Sequence, residues 1–188
     1  DAQESRGLGD VYKRQEYITL ERTNWWFCVR EKILEILIRR YCIIEPNLTP
    51  NILNIGVAGG ATSVMLSKFG SIVSTEIHEE CRNFVNNTLG LYCVSDSVTQ
   101  MSFPANTYDF VCAFDVIEHV ENDVRAIDEI FRVCKPNGYI VLSVPAYMSL
   151  WSDHDVINQH FRRYNHNMVK KLLAVSYTHL TLPTIYSV

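Results

Sequence analysis

Short apolar runs alternate with helix-like segments through the middle of this 188-residue sequence. The runs lie at 52–57, 72–76, 91–94, 109–114 and 139–144, and the helix-like segments at 28–41, 62–69, 79–88, 123–133 and 167–173. The runs are apolar throughout, which is typical of strands that are buried on both faces. The alternation therefore predicts an α/β domain, a doubly wound and mostly parallel sheet in three α/β/α layers. In such folds ligands bind beyond the carboxyl ends of the strands, where the strand order reverses.

Composition narrows the class of protein. The sequence is 47% hydrophobic and 20% charged, which is typical of a globular domain. Its apolar runs are far shorter than the roughly 18 residues of a membrane-spanning helix, so no span is predicted. The net charge of -4 gives no general attraction to nucleic acid. Six cysteines without a C-x-x-C pair fit a reducing, cytoplasmic location.

The two ends of the sequence differ from its middle. Residues 1–15 are polar without apolar periodicity, and residues 176–188 follow a helical pattern abruptly. Both segments resemble translated adaptor sequence at the edges of metagenomic gene fragments, with native disordered termini as the alternative. The predicted domain therefore spans residues 16–175, between two flanks that are not native.

A glycine-rich turn, Gly56-Val57-Ala58-Gly59-Gly60, follows the first predicted strand. A dinucleotide-binding G-x-G-x-x-G turn would need glycine at positions 58 and 61, and both are alanine. Glu76 ends the second strand, at the spacing from the turn where a carboxylate can accept both hydroxyls of a ribose. Together the turn and Glu76 predict a nucleoside site without a pyrophosphate; a buried, charge-paired Glu76 is the alternative.

The turn resembles motif I of the class I S-adenosylmethionine-dependent methyltransferases, an acidic residue followed by G-x-G-x-G. Gly56 and Gly60 match that motif, whereas Asn54 replaces the acid and Ala58 the middle glycine. Further matches run in order along residues 20–173. The resemblance implies a Rossmann-like fold and S-adenosyl-L-methionine as the cofactor.

The same resemblance implies a cofactor site. Glu76 would hold the ribose, Ile77 would pack on the adenine, and Asp96 with Ser97 would read the adenine edge. Asp is also common in turns, which is the alternative for Asp96. The predicted set is Gly56, Val57, Ala58, Gly59, Gly60, Glu76, Ile77, Asp96, Ser97, Phe114 and Asp115, the last two at the methionine end.

Three histidines are candidate general bases, because an imidazole titrates near neutrality. His119 ends a D-x-x-E-H segment at 115–119 that resembles one in many small-molecule methyltransferases, and His154 and His160 follow the fifth strand. A structural histidine at a helix start is an equal alternative for His119. A divalent ion could also be ligated by Asp115, Glu118 and His119 with His154 or His160, as similar sets do in some methyltransferases. The segment also occurs in relatives without metal, and we predict no metal site.

The segment after the fifth strand has specific spacing, with Leu150-Trp151-Ser152-Asp153-His154-Asp155 followed by His160-Phe161-Arg162-Arg163-Tyr164. Together with Asn24-Trp25-Trp26-Phe27 and Arg30, it resembles a bacterial methyltransferase subgroup that accompanies glycan and glycolipid assembly. Arg162 or Arg163 could clamp a substrate carboxylate or phosphate, with Tyr164 near the methyl acceptor. A solvated charged loop is the alternative. For residues 25–27, core packing is favoured over a lid on the cofactor.

These features predict methyl transfer from S-adenosyl-L-methionine to oxygen or nitrogen of a small-molecule, sugar or lipid-linked acceptor. The alternatives are a degenerate, non-catalytic cofactor-binding domain and an NAD(P)-dependent oxidoreductase. The resembled fold carries two more strands after the helix at 167–173. The sequence shows neither, so we predict that strands six and seven are missing and that the fifth strand is an exposed, aggregation-prone edge.

Overall fold

The computed structural model describes residues 16–44 and 47–175, and the two predicted flanks lie outside these residues. The helices are α1 (16–23), α2 (Trp25–Tyr41), α3 (Ala61–Leu66), α4 (Glu79–Asn87), α5 (Asp123–Val133), α6 (Asp153–Ile157) and α7 (His166–Val175). The strands are β1 (Asn51–Ile55), β2 (Ser71–Thr75), β3 (Cys93–Val94), β4 (Tyr108–Phe114) and β5 (Cys134–Ser143). Two 3₁₀ turns lie at Ile117–His119 and Met148–Leu150.

The five strands form one sheet in the order β3-β2-β1-β4-β5. Every neighbouring pair is parallel, which confirms the predicted doubly wound α/β fold. The strand order reverses between β1 and β4, so the carboxyl ends of these two central strands flank a crevice of the kind in which such folds bind ligands. Among the described residues, β5 pairs only with β4 and forms one edge of the sheet.

Successive residues of the central strands enter two different cores, because side chains alternate across a strand. Leu53 of β1 and Val111 of β4 pack in the core that includes α5 and α7. Ile52 and Phe110, the residues just before them, pack in the core that includes α2 and α3. Helices therefore cover both faces of the sheet, which explains why the strands are apolar throughout.

The start of α5 agrees with the sequence pattern, whereas the segment after its end does not. Asn122 caps the helix, because its side chain accepts a hydrogen bond from the backbone N–H of Arg125 at 3.1 Å. The sequence Lys-Pro-Asn-Gly at 135–138 is typical of a turn before the fifth strand. Instead β5 begins at Cys134, opposite Tyr108, and the register then shifts so that Tyr139 lies opposite Phe110. The expected turn is a bulge inside the strand, which raises local twist at the sheet edge.

The amino-terminal helices differ from the sequence-based expectation in two ways. Helix α1 was not predicted, and α2 begins three residues earlier than expected, at Trp25, after the cap Asn24. Core packing is wrong for Trp25 and Trp26, whose side chains are 71% and 56% exposed. None of the described helices combines the length and the apolar character that a membrane span requires.

Candidate functional site

The glycine-rich turn, residues 56–60, lies at the carboxyl end of β1. Gly56 and Gly60 have φ of +63° and +79°, a region that L side chains avoid. A Cβ on Gly56 would lie 2.7 Å from Cγ2 of Val116, so a side chain there would have no space. The Gly56 and Val57 N–H groups donate to the Thr75 carbonyl at 2.8 and 3.2 Å, which joins the turn to the end of β2.

Glu76 and the glycine turn are in direct contact. The Glu76 side chain is buried, and its Oε2 accepts a hydrogen bond from the Ala58 N–H at 2.8 Å, while Oε1 accepts from the His78 N–H at 2.9 Å. A carboxylate has about four lone-pair positions, so two acceptor sites remain for a ligand. The two features on which the nucleoside prediction depends therefore meet at one place, and their donor and acceptor chemistry fits an adenosyl ribose.

Asn54 and Ala58 stand where the methyltransferase motif has an acid and a glycine. Asn54 is buried, and its Nδ2 donates to Thr62 Oγ1 at 2.9 Å and to Ser63 Oγ at 3.0 Å. The amide thus ties β1 to the start of α3. Ala58 adopts φ of +45°, the conformation that its glycine counterpart would take without strain. The turn keeps its shape despite both replacements.

The other predicted cofactor residues lie at the ends of β2, β3 and β4. Ile77 is 65% exposed, so its face is open to a planar ring. Asp96 accepts from the Ser97 N–H at 2.9 Å and from the Ser102 N–H and hydroxyl at 2.9 and 2.7 Å, which closes a local loop. Phe114 is buried at the end of β4.

Asp115 follows β4 with φ of +53°. Its Oδ2 pairs with the Arg30 guanidinium at 2.7 Å, and its Oδ1 accepts from the Ser143 hydroxyl at 2.9 Å. Arg30 also donates to Ser143 Oγ at 3.1 Å. This triangle joins α2 to the carboxyl ends of β4 and β5. The pairing spans 85 positions between residues 30 and 115, and the sequence offers no local signal for it.

Helix α1 packs on the glycine turn, and its residues were not predicted to be near the site. Arg22 Nη2 donates to the Gly59 carbonyl at 2.7 Å. A Cβ on Gly59 would collide with the Glu21 carboxylate, whose Oε2 is buried without a hydrogen-bond partner. Burial raises the pKa of Glu21 to about 7, against the opposing effect of Arg22. Helix α1 therefore covers the glycine turn and places the poorly solvated carboxyl group of Glu21 next to it.

Glu118, His119 and His160 form a second group, the histidine cluster, at the carboxyl end of β4. One potential ligand atom from each lies within 4.8 Å of the others. The Glu118 side chain is buried, and burial, aided by Asp115, raises its pKa to about 8. Partial desolvation of the His119 ring and the neighbouring His160 lower the pKa of His119. The His119 and His160 rings meet edge to face, with centroids 4.6 Å apart.

Asp155 fixes the segment that carries His160. It is fully buried, and it accepts from His160 Nδ1 at 2.9 Å and from Arg163 Nε and Nη2 at 2.8 and 2.7 Å. The Ser152 N–H donates to the same carboxylate at 2.8 Å, within a capping box at the start of α6. The Arg163 hydrogen bonds hold the pKa of Asp155 far below its usual range. His154 lies outside this set and is exposed, with Asn158 as its side-chain partner.

The three residues predicted to bind substrate make contacts within the protein. Arg163 pairs with Asp155, Arg162 with Asp123 Oδ2 at 2.6 Å, and the Tyr164 hydroxyl donates to the same Asp123 oxygen at 3.0 Å. Tyr164 is 3% exposed, so its ring packs inside the protein. The Asp123 contacts attach the segment to α5 and the Asp155 contact attaches it to α6, and a role in substrate binding stays a prediction.

Comparison with known proteins identifies the domain. A family model described as a methyltransferase domain matches residues 53–142, which span β1 to β5 with the glycine turn and Glu76. Residues 53–142 are a class I S-adenosylmethionine-dependent methyltransferase domain. S-adenosyl-L-methionine is the methyl donor of this class and hence the cofactor of this methyltransferase domain.

Individual relatives share the fold more than the sequence. An uncharacterized methyltransferase of Schizosaccharomyces pombe is 28% identical over 138 residues, covering 62% of this chain and 49% of the relative. Phosphoethanolamine N-methyltransferase 2 of Caenorhabditis elegans is 23% identical over 120 residues, covering 57% and 26%. A SAM-dependent methyltransferase structure from Thermotoga maritima has a TM-score of 0.67 at 17% identity, covering 88% and 80%. The chain spans half or less of the length of these two curated relatives.

Proposed function

We propose that this methyltransferase domain transfers the methyl group of S-adenosyl-L-methionine to oxygen or nitrogen of a small-molecule, sugar or lipid-linked acceptor. The observation that carries the proposal is the contact between the Ala58 N–H and the Glu76 carboxylate, at 2.8 Å. It joins a turn that leaves no room for side chains at its glycine positions to an acid with two free acceptor positions. That combination suits a ribose that bonds to the Glu76 carboxylate and lies close to the backbone of the turn.

In this proposal different residues of the chain bind different parts of the cofactor. Glu76 accepts the ribose hydroxyls, Ile77 packs on the adenine, and Asp96 with Ser97 contacts the adenine edge. Asp96 can add such a contact to its three present hydrogen bonds, because a carboxylate has about four acceptor positions. The glycine turn, Phe114 and Asp115 border the methionine end. Bound there, S-adenosyl-L-methionine supplies an already activated methyl group.

The chain then has to align an acceptor and exclude water, since the sulfonium needs no further activation. A nitrogen acceptor in its neutral form needs no base. For a hydroxyl acceptor, His119, His154 and His160 are the candidate proton acceptors, and all three follow the carboxyl ends of β4 or β5. His119 is exposed, whereas the His160 side chain is 9% exposed, so His119 is the more accessible of the two clustered rings.

The acceptor class rests on charge and on the family. The net charge of -4 disfavours a polyanionic substrate such as nucleic acid. Arg162, Arg163 and Tyr164 are proposed to border a carboxylate or phosphate of the acceptor, with their Asp123 and Asp155 partners holding them in place. The name of the Caenorhabditis elegans relative indicates a small phosphorylated amine as its substrate. Six free cysteines fit a reducing, cytoplasmic location.

Calorimetric titration of S-adenosyl-L-methionine tests the cofactor site. Glu76→Gln removes the charge from the ribose acceptor and should weaken binding about 10- to 100-fold, the range for a lost charge-assisted hydrogen bond. Glu79→Gln is the matched control, because Glu79 is exposed on the first turn of the following helix. The control should bind as the unchanged chain does. Unchanged affinity in a folded Glu76→Gln protein would refute the ribose assignment.

A non-catalytic cofactor-binding domain is the second candidate, favoured by the strained Ala58 and the Asn54 replacement. Formation of S-adenosylhomocysteine in the presence of a pool of small amines, sugars and phosphoesters separates the two candidates. Binding without turnover on any acceptor would favour the non-catalytic domain. A thermal-shift comparison covers the third class, since stabilisation by NADH and not by S-adenosyl-L-methionine would indicate an oxidoreductase.

A further inference from the structure

The histidine cluster assembles one carboxylate and two imidazoles from two separate segments. Glu118 and His119 lie in the 3₁₀ turn after β4, and His160 follows α6. The Phe161 N–H donates to the Glu118 carbonyl at 2.8 Å, which holds the second segment against the first. One potential ligand atom of each side chain lies within 4.8 Å of the other two. The fold thus brings His160 next to two residues that precede it by more than 40 positions in the sequence.

One oxygen of the Glu118 carboxylate lacks a hydrogen-bond partner among the described residues. Its side chain is 1% exposed, and its Oε2 is a buried atom that accepts no hydrogen bond. A buried carboxylate without a donor is costly, and such groups in proteins are usually paired or coordinate a metal. Edge-to-face packing explains why the two histidine rings touch. It does not explain the unpartnered oxygen beside them.

His160 has a buried hydrogen-bond acceptor at one of its ring nitrogens. Its Nδ1 lies 2.9 Å from Asp155 Oδ1, and Asp155 accepts in turn from Arg163 and Ser152. Metal-binding histidines almost always donate their second N–H to a carboxylate or a backbone carbonyl, because this fixes the tautomer and directs a lone pair to the ion. His160 therefore has the outer partner that a metal ligand needs.

We propose that Glu118, His119 and His160 bind a divalent transition-metal ion. One carboxylate oxygen and two imidazole nitrogens suit Zn²⁺, Co²⁺, Mn²⁺ or Fe²⁺, whereas Mg²⁺ and Ca²⁺ prefer oxygen ligands throughout. Ligand atoms around a tetrahedral ion with bonds of about 2.1 Å lie about 3.4 Å apart, so the three atoms, now within 4.8 Å of one another, need to close by up to about 1.4 Å. This site replaces the sequence-based expectation of no metal, and a ligating His119 could not also be the proton acceptor.

Co²⁺ titration of the 188-residue chain tests the site independently of methyl transfer. The protein is dialysed against a chelator, and Co²⁺ is then added while visible absorption and calorimetric heat are recorded; Zn²⁺ and Mg²⁺ are titrated in parallel. We expect one Co²⁺ per chain with the absorption of nitrogen and oxygen ligation, displacement by Zn²⁺, and no response to Mg²⁺. Thiolate charge-transfer bands would instead place the ion at a cysteine and overturn the proposal.

Variants at the ligands and at a neighbouring histidine locate the ion. Glu118→Gln and His160→Asn should each weaken Co²⁺ binding more than the roughly 10- to 100-fold that loss of an outer hydrogen-bond partner costs. His154→Asn is the control and should bind within about twofold of the unchanged chain, because His154 lies on the same segment but is exposed outside the cluster. Circular dichroism confirms that each metal-free variant is folded. No one-to-one binding by the unchanged chain, or binding that both ligand variants retain, would contradict the site.

Discussion

The two functional regions of this molecule satisfy their carboxylates in opposite ways. At the glycine turn, both oxygens of Glu76 accept backbone N–H groups, from Ala58 and His78. At the histidine cluster, Oε2 of Glu118 is buried without any donor among the described residues. The first carboxylate is held by the backbone before any ligand arrives. The Glu118 carboxylate needs a cation or a hydrogen-bond donor that the described residues do not supply.

This difference separates a preorganised site from one that a ligand completes. A backbone-held carboxylate contributes to folding and loses little freedom when it binds a ligand. An unpartnered buried carboxylate opposes folding until a cation or donor reaches it. We therefore expect substitutions at the two regions to change the stability of the ligand-free protein in opposite directions.

The largest effect is expected in the glycine turn. Gly60→Ala places a Cβ at φ of +79°, 2.8 Å from Val85 Cγ2 and 2.9 Å from Leu89 Cδ1. The left-handed conformation costs about 1–2 kcal/mol and the overpacking about 1–2 kcal/mol more, so the free energy of unfolding should fall by roughly 2–4 kcal/mol. Urea denaturation measures this change.

Ala58→Gly is the matched control in the same turn. Ala58 already has positive φ, so glycine relieves strain there while it adds freedom to the unfolded chain. These two effects nearly cancel, and stability should stay unchanged or rise by up to about 1 kcal/mol. Equal losses for both substitutions would show that the turn is not constrained by its backbone conformation.

A smaller effect of opposite sign should distinguish the two carboxylates in metal-free protein. Glu76→Gln replaces an acceptor oxygen by an amide that faces a backbone N–H, so the free energy of unfolding should fall by about 1–2 kcal/mol. Glu118→Gln removes a carboxyl group that must either take up a proton or be buried as a charge when the chain folds, and it should raise the free energy of unfolding by about 1 kcal/mol. Both variants are compared by urea denaturation in the presence of a chelator. A loss of stability at both positions would contradict the comparison.

The sequence predicts the cofactor region better than the histidine cluster, for a physical reason. The spacing from Gly56 to Glu76 is the length of one strand-helix-strand unit, and parallel pairing of β1 with β2 brings their carboxyl ends together. Residues that follow neighbouring strands of such a unit must therefore meet. The turn and the acid were predictable as a pair because regular structure fixes their distance.

The histidine cluster depends on irregular chain, for which no such rule exists. His160 reaches Glu118 through α6 and two loops, and Asp155 holds His160 and Arg163 at positions that only the folded segment brings together. The Ser152 to Asp155 capping box was a local signal that Asp155 is structural. It indicates the start of a helix, but not the histidine beside it.

The smallest expected effect concerns Glu21, a carboxylate of the cofactor region that differs from Glu76. Glu21 of α1 has a buried oxygen without a partner, and burial raises its pKa from 4.5 to about 7 despite Arg22 and Arg30. A raised carboxyl pKa means that the folded state binds the proton more tightly, so stability is lost as the pH rises from about 4.5 through 7. Glu21→Gln stays neutral and avoids that loss. Its melting temperature should equal that of the unchanged chain at pH 4 and exceed it by about 2–4 °C at pH 8.

Glu35 provides the control of opposite sign for this last experiment. Hydrogen bonds from Arg39 and Lys68 lower the pKa of Glu35, so its contribution to stability is present at neutral pH and is lost as the pH falls through that lowered pKa. Glu35→Gln should therefore lower the melting temperature slightly at pH 8 and less at pH 3. A Glu21→Gln difference that does not change with pH would mean that α1 leaves this carboxylate solvated. The glycine turn would then be open to the cofactor without any movement of that side chain.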